Sequence, residues 1–495
     1  MWITALLAIL VAMFVAPSPA RSQPVGTSDW PTAAHDVQRS GYTAHAPAPP
    51  YRVRWVWADG EPLGEEQLQA MGRGAVGPEL LPDHANVRFM NQAQPMAADG
   101  TAYIGSVEGE VFAIDVVTGQ TKWRARASGP VLHSVTIAGG VVYVATARGV
   151  DAFDANGRRL WTLPDPHLGG FKSCPAVCAG VVLAGGIAGY FYGIDAQTGK
   201  LEWEHEVGAP IYHTPAVQDR RVYFGAEDMH AYALDAVTGA RVWRSERLAG
   251  VSFGPYWPVI APKEGVVMFR TASWGGTRAG LHAVEKAPFD YDKAQDELGA
   301  YFDEHPHERS FFVLNLSDGR EEVRVVSGYF GVSADLPPPP VVRDDGAVLQ
   351  YFYAKEGAMQ KSAQWGAYGV PVDFGRIDFA SGRYRRIAPT GTTKPPTITR
   401  NDDFHQVSLG GRFLFGLQVE FGFGCVPLDG QGPDFHWYMH RLAGQYKALK
   451  KQGKVGLLPR HNHGSMGPTV LGDVVLVNPA GGTYLVAFES EEAGP

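Results

Sequence analysis

The hydrophobic pattern of this chain is a succession of short runs. Within residues 213–243, His213–Val217, Arg221–Gly225, Ala231–Leu234 and Arg241–Trp243 carry apolar or alternating side chains, separated by three to six polar or turn-forming residues. Runs of this length bounded by turn residues predict strands, and runs apolar throughout predict sheets covered on both faces. The third and fourth runs are joined by Asp235-Ala-Val-Thr238-Gly239. The Asp and Thr side chains of such a turn hydrogen-bond its own backbone, and the Gly supplies a positive φ.

The unit recurs. AIDVVTGQTKW (113–123), AFDANGRRLW (152–161), GIDAQTGKLEW (193–203) and ALDAVTGARVW (233–243) place Asp115, Asp154, Asp195 and Asp235 at intervals of 39, 41 and 40. Trp123, Trp161, Trp203 and Trp243 follow in step, and Gly119, Gly199 and Gly239 occupy three of the turns. A period near forty with four strands per unit predicts propeller blades, each Trp offering a flat face to its neighbour. Weaker copies are VLNLSDGREEV (Asn315, Gly319), RIDFASGRYRR (Asp378, Gly382) and YMHRLAGQY (His440, Gly444). The last unit, PTVLGDVVLVNPAGGTYLVAFES, holds three strands, while Arg52–Trp57 near the N-terminus is a strand without a sheet. Joining the two closes a ring and removes a free edge. The expected fold is therefore all-β: an eight-bladed β-propeller of four-stranded antiparallel blades over residues 51–490. Insertions are expected at 60–90, 276–310, 355–372 and 420–435, the second adding a short acidic helix (DYDKAQDELGAYFDEH) within blade five.

Composition agrees with strands and tight turns: of 495 residues, 60 are Gly and 36 Pro, and only 19% are charged. A net charge of -8 without a basic run excludes the electrostatic footprint of a nucleic-acid binder. Residues 1–20 carry no charged side chain; the apolar run 2–16 is too short to span a bilayer and is followed by Ser18-Pro19-Ala20. This reads as a signal peptide cleaved after Ala20, with residues 21–50 an extended leader, no stable transmembrane span after cleavage, and a periplasmic or secreted location. A monomer is expected. Cys174 and Cys178 in KSCPAVCAG read as one strand, on which residues four apart sit about 13 Å from each other, too far for a disulfide.

The motif Ala-x-Asp-x-x-Thr-Gly-x-x-x-Trp stands at Ala113, Asp115, Thr118, Gly119, Trp123 and at Ala233, Asp235, Thr238, Gly239, Trp243. It resembles the blade-docking motif of PQQ-like β-propellers, shared by quinoprotein alcohol dehydrogenases and the BamB group of outer-membrane assembly scaffolds. The leader DWPTAAHDVQRSGYT, residues 29–43, is similar to the mature N-terminus common in that superfamily. The resemblance covers about residues 29–490 and is strongest over 91–250. It implies the fold and says little about activity. The dehydrogenase branch implies pyrroloquinoline quinone under a disulfide of adjacent cysteines, with calcium held by Glu, Asn and Asp. This chain has no Cys-Cys pair, which disfavours PQQ as its cofactor. The BamB branch implies a lipoprotein, yet no Cys precedes Cys174.

Aligned by the docking motif, His133, Ser173, His213 and His405 fall in one register at the start of the inner strands, where blades converge on the channel. Lys172 adjoins Ser173, Tyr256 and Trp257 occupy blade five, and His461 and His463 precede the last inner strand. Converging imidazoles suit a channel metal or a general base, although polar side chains in a water-filled channel need neither role. Three functions follow from these features. The first is an exported propeller that binds or scaffolds a protein or glycan partner through its loops and channel mouth. The second is an oxidoreductase holding PQQ in the channel over Trp257 or Trp274. The third is a His- or metal-dependent polysaccharide lyase or hydrolase. The first accounts best for the fold match combined with the missing cofactor residues.

Overall fold

The computed structural model describes residues 29–64, 87–90, 93–272, 291–326, 339–353, 360–361, 368–369, 372–387, 407–418, 422–429, 435–438, 466–478 and 484–491. Its strands form eight antiparallel four-stranded blades. Blade four, the best-formed repeat, runs Ala216–Gln218, Arg221–Ala226, His230–Asp235 and Arg241–Arg244 from hub to rim. The expected inner strand His213–Val217 is thus shortened at its start, and the strand expected through KSCPAVCAG is only Ala176–Cys178. Pro215 and Pro175 precede the two strands and cannot donate to a ladder. The residues before them, including His213 and Cys174, therefore turn into the hub.

The terminal strand closes the ring. Tyr51–Ala58 pairs antiparallel with Tyr484–Ser490, from Tyr51 opposite Ser490 to Ala58 opposite Tyr484. Blade eight then meets blade one through Gln94 Nε2, which donates to Gly467 O at 2.8 Å, and Asn478 Nδ2, which donates to Ala93 O at 2.7 Å.

Each tryptophan docks on the next blade's turn. Trp123 Nε1 donates to Ala155 O at 2.8 Å, Trp161 Nε1 to Ala196 O at 3.0 Å, and Trp243 Nε1 to Leu316 O at 3.0 Å. Trp55 supplies the same contact from blade eight to blade one, donating to Val116 O at 2.9 Å. The flat ring lies on the turn glycine: a Cβ on Gly199 would stand 2.6 Å from Trp161, and one on Gly239 2.4 Å from Trp203. The turn Asp is held as expected, Asp115 Oδ1 accepting from the N–H groups of Val117 at 3.0 Å and Thr118 at 2.9 Å.

Two outer segments differ from the sequence reading. Gly422–Pro427, inside the expected insertion 420–435, and Phe435–Tyr438, which starts at its last residue, are the third and fourth strands of blade seven. The run Gly-Phe-Gly-Cys-Val-Pro hides its strand character because glycine occupies alternate positions, while Phe423 and Cys425 are fully buried. Tyr438 ends the fourth strand, and the rest of the copy YMHRLAGQY lies outside the described residues. In blade five, α1 (Tyr291–Glu304) lies between the second and third strands and reaches blade six. Gln295 on α1 accepts from Tyr384 N–H at 2.6 Å and donates to Tyr384 O at 3.0 Å, covering part of that blade's outer edge.

Candidate functional site

The inner strand of each blade presents N–H groups to the hub with no partner strand, and buried N–H groups require acceptors. The leader provides them. Trp30 and Ala97 of blade one exchange backbone hydrogen bonds of 2.8 and 2.9 Å. Ile137 N–H of blade two donates to Pro31 O (2.8 Å), Val217 of blade four to Val37 O (2.7 Å) and Ile260 of blade five to Gln38 O (3.0 Å). Val342 of blade six donates to Ser40 O and Leu409 of blade seven to Gly41 O, both at 2.9 Å. Tyr42–Thr43 then runs parallel to Leu409–Gly410. Blade three is met through side chains, Thr32 Oγ1 lying 3.7 Å from Cys174 Sγ. Residues 30–43 therefore run round the inner wall of the hub, visiting blades one to seven in order.

This circuit carries Arg39 into the interior. The residue is fully buried; its Nε donates to Pro215 O at 2.9 Å, and its Nη1 donates to Thr32 Oγ1 at 2.7 Å and Ala33 O at 2.8 Å. A second buried guanidinium, Arg270, ends the second strand of blade five, its Nη2 donating to Trp257 O at 3.0 Å and its Cζ 5.0 Å from the Tyr256 ring centre. Burial alone would raise the Asp36 pKa, but hydrogen bonds from His35 and Ser40 outweigh it and hold the carboxylate below its usual value.

The structure brings five of the sequence-derived site residues together: His133, Ser173, His213, Tyr256 and Trp257, all buried. Short hydrogen bonds join their neighbourhoods. Cys174 N–H donates to Thr214 Oγ1 (3.0 Å), Thr214 N–H to Tyr256 O (2.7 Å), and His133 Nε2 lies 3.3 Å from Pro255 O. His133 Nδ1 accepts from Ser134 N–H at 2.8 Å, which leaves the proton on Nε2 facing Pro255 O. His213 Nδ1 accepts from Gly225 N–H at 3.0 Å, which likewise leaves its proton on Nε2. Burial lowers the His133 pKa to about 4. Burial, then the Arg270 and Arg39 charges, pushes His213 well below the ordinary imidazole value. Both rings are therefore neutral near pH 7. Lys172 stands apart, exposed, with Nζ 5.4 Å from the Tyr212 ring centre. His405, His461, His463 and Trp274 lie outside the described residues.

Arg39 and Arg270 were not singled out in the sequence. The available signal was a charged residue ending the apolar run VVMFR and another in a leader of small and polar residues. Neither position reveals its depth without the closed ring.

The donor set constrains what the hub can hold. Among the described residues no group of three or more His, Cys, Asp or Glu side chains is arranged to bind a metal ion. The described hub presents hydrogen-bond donors and two guanidinium groups, and the chain has no adjacent cysteines. These residues do not fit a calcium-bound pyrroloquinoline quinone. A second feature lies at the rim: a cleft of about 970 Å³ between blades four and five, lined by Arg244, Arg247, Arg309 and Arg320 with Glu246, Asp318 and Glu321.

Comparison with known proteins agrees with this geometry. The family model described as outer membrane protein assembly factor BamB matches residues 56–174 and 148–286. The outer membrane protein assembly factor BamB of Bordetella pertussis is 33% identical over 341 residues, covering 62% of this chain and 86% of the relative. Quinohemoprotein alcohol dehydrogenase ADH IIB of Pseudomonas putida is 31% identical over 160 residues, 28% of this chain and 23% of that one. Among solved structures, a europium-containing methanol dehydrogenase superposes with a TM-score of 0.56 at 12% identity, covering 94% of this chain and 98% of that one, a likeness of fold. With its docked tryptophans, closed eighth blade and extended match to a BamB protein, the chain belongs to the BamB-like family of PQQ-repeat β-propellers.

Proposed function

We propose that this protein is an exported, non-catalytic scaffold that holds a protein partner during assembly of the outer envelope. The observation that carries the reading is the similarity to the Bordetella pertussis assembly factor over 86% of that protein's length. Two features support it. The described hub lacks the side chains a calcium–quinone centre needs, and the leader's backbone and Arg39 occupy its inner wall, so the outer loops and rim are the surfaces open to a partner. The rim cleft between blades four and five offers charges of both signs, Arg309 pairing with Glu321, Arg244 with Asp228 and Arg320 with Asp318, and suits polar protein segments. The proposed location is the periplasm or the extracellular space, in keeping with the signal-peptide reading of residues 1–20.

The test is photocrosslinking in the native host from positions placed singly around the rim, with crosslinked species identified by mass spectrometry. Crosslinks to outer-membrane proteins or their assembly components, confined to one face, are the expected result. Dye reduction by the purified protein with alcohols or sugars after addition of PQQ and calcium, without such crosslinks, would overturn the reading. Crosslinks to envelope polysaccharide alone would replace the protein partner with a glycan.

A further inference from the structure

Among the described residues, four side chains beside blades three, four and five are fully or almost fully buried and keep a polar atom without a hydrogen-bond partner there. They are Arg39 at Nη2, Ser173 at Oγ, His213 at Nε2 and Trp257 at Nε1. In native proteins a buried polar atom almost always has a partner, so an isolated orphan needs an explanation and four in one neighbourhood need a common one. Three of the four atoms are donors only. The indole and guanidinium nitrogens can act in no other way, and His213 Nε2 carries the ring proton because Nδ1 accepts from Gly225. The Ser173 hydroxyl can join them.

Their surroundings are linked by direct bonds. Arg39 Nε reaches Pro215 O, two residues from His213; Cys174, next to Ser173, donates to Thr214 Oγ1; and Thr214 donates to Tyr256 O, next to Trp257. The group is also electropositive. Arg39 and Arg270 are both buried, and the leader's Asp36 is already engaged by His35 and Ser40. An isolated buried charge is costly unless it is paired, and donors without acceptors in the same shell indicate what is missing.

We infer that the hub contains a binding site for a small anion of halide size, held by Arg39 Nη2, His213 Nε2, Trp257 Nε1 and Ser173 Oγ. The leader builds one wall of this site by delivering Arg39, so the anion couples the N-terminal segment to blades three, four and five. It would act as a structural ion that stabilises the closed ring.

The experiment uses the purified full chain in buffers of constant ionic strength in which gluconate is replaced stepwise by bromide. Thermal stability is expected to rise with bromide and saturate, as binding to the native state alone requires. Crystals grown in bromide should show an anomalous peak within hydrogen-bond distance of Arg39 Nη2 and His213 Nε2. Trp257→Phe, which keeps an aromatic ring and removes the N–H, and Ser173→Ala should each raise the half-saturating bromide concentration, by about tenfold for the former. Arg39→Met should abolish the dependence. If that variant does not fold, the other two carry the test. Equal stability in gluconate and bromide together with ordinary water density at the position would overturn the inference. So would a bromide dependence untouched by Trp257→Phe and Ser173→Ala.

Discussion

Replacing Gly199 by alanine tests the blade-docking interaction within one turn. The backbone at Gly199 has φ +74, and a Cβ there would lie 2.6 Å from the Trp161 ring. The left-handed backbone costs an alanine about 1–2 kcal/mol. The clash adds to it, because Trp161 is only 8% exposed and is pinned through Nε1 to Ala196 O at 3.0 Å. Relieving such an overlap costs about 1–3 kcal/mol, so the expected loss is about 2–5 kcal/mol in all. The molecule contains its own control. Gly180 has φ +79 but nothing within 4 Å of the added carbon, so Gly180→Ala should cost only the backbone share. Urea unfolding followed by tryptophan fluorescence measures both, and a Trp161→Ala background should remove most of the difference between them. If the two alanine variants cost the same within about 0.5 kcal/mol, or if Trp161→Ala leaves the gap unchanged, the ring is not seated on the turn as described.

Acidification should weaken the fold through His133. Its pKa is about 4 when folded and about 6.5 when unfolded, so between these values the unfolded chain binds more protons. Stability contributed by neutral His133 is therefore full above about pH 6.5 and falls as the pH drops toward 4, by about 3 kcal/mol in all. His133→Asn, whose side-chain oxygen can still accept from Ser134 N–H, should flatten the dependence of the urea midpoint over that window. Arg39→Lys should lower stability by about 1–3 kcal/mol, because a single ammonium cannot serve Pro215 O, Thr32 and Ala33 O together, and protease nicking of the leader would report the loosening. Trp55→Ala should cost about 3–5 kcal/mol and mainly expose the junction of blades eight and one, visible as faster hydrogen exchange in Tyr51–Ala58 than in blade three. Reversing the charge at Arg247 and Arg320 should reduce crosslinking to a rim-bound partner several-fold while leaving the urea midpoint unchanged.

Most of the architecture was legible in the chain because a blade is a local object. Asp235, Thr238 and Gly239 build their turn from neighbours in sequence, and Trp243 follows at fixed spacing, so the repeat is visible without any long-range contact. The pairing of Arg52–Trp57 with the last three strands could likewise be inferred, since an eighth sheet short of one strand and a lone strand without a sheet complete each other. The reading failed where local signals were muted. Gly422–Pro427 alternates glycine with buried residues and resembled an insertion, and Pro175 and Pro215 shortened the inner strands whose starts had been set by pattern alone.

The candidate site divides the same way. The register of the repeat placed His133, Ser173 and His213 at corresponding points of successive blades, and all three are buried. Their environment was invisible in the sequence. Residues 30–43 read as an extended leader, and nothing in their local pattern distinguishes a strand exposed to solvent from one following the inner wall of a ring. Only closure of the blades creates a circle of unpaired N–H groups, and only that circle draws the leader inward and carries Arg39 to within hydrogen-bonding distance of Pro215, 176 residues away. Strand, turn and blade are decided by neighbours along the chain; burial, charge and unmet hydrogen bonds at the hub are decided by residues that closure of the ring brings together.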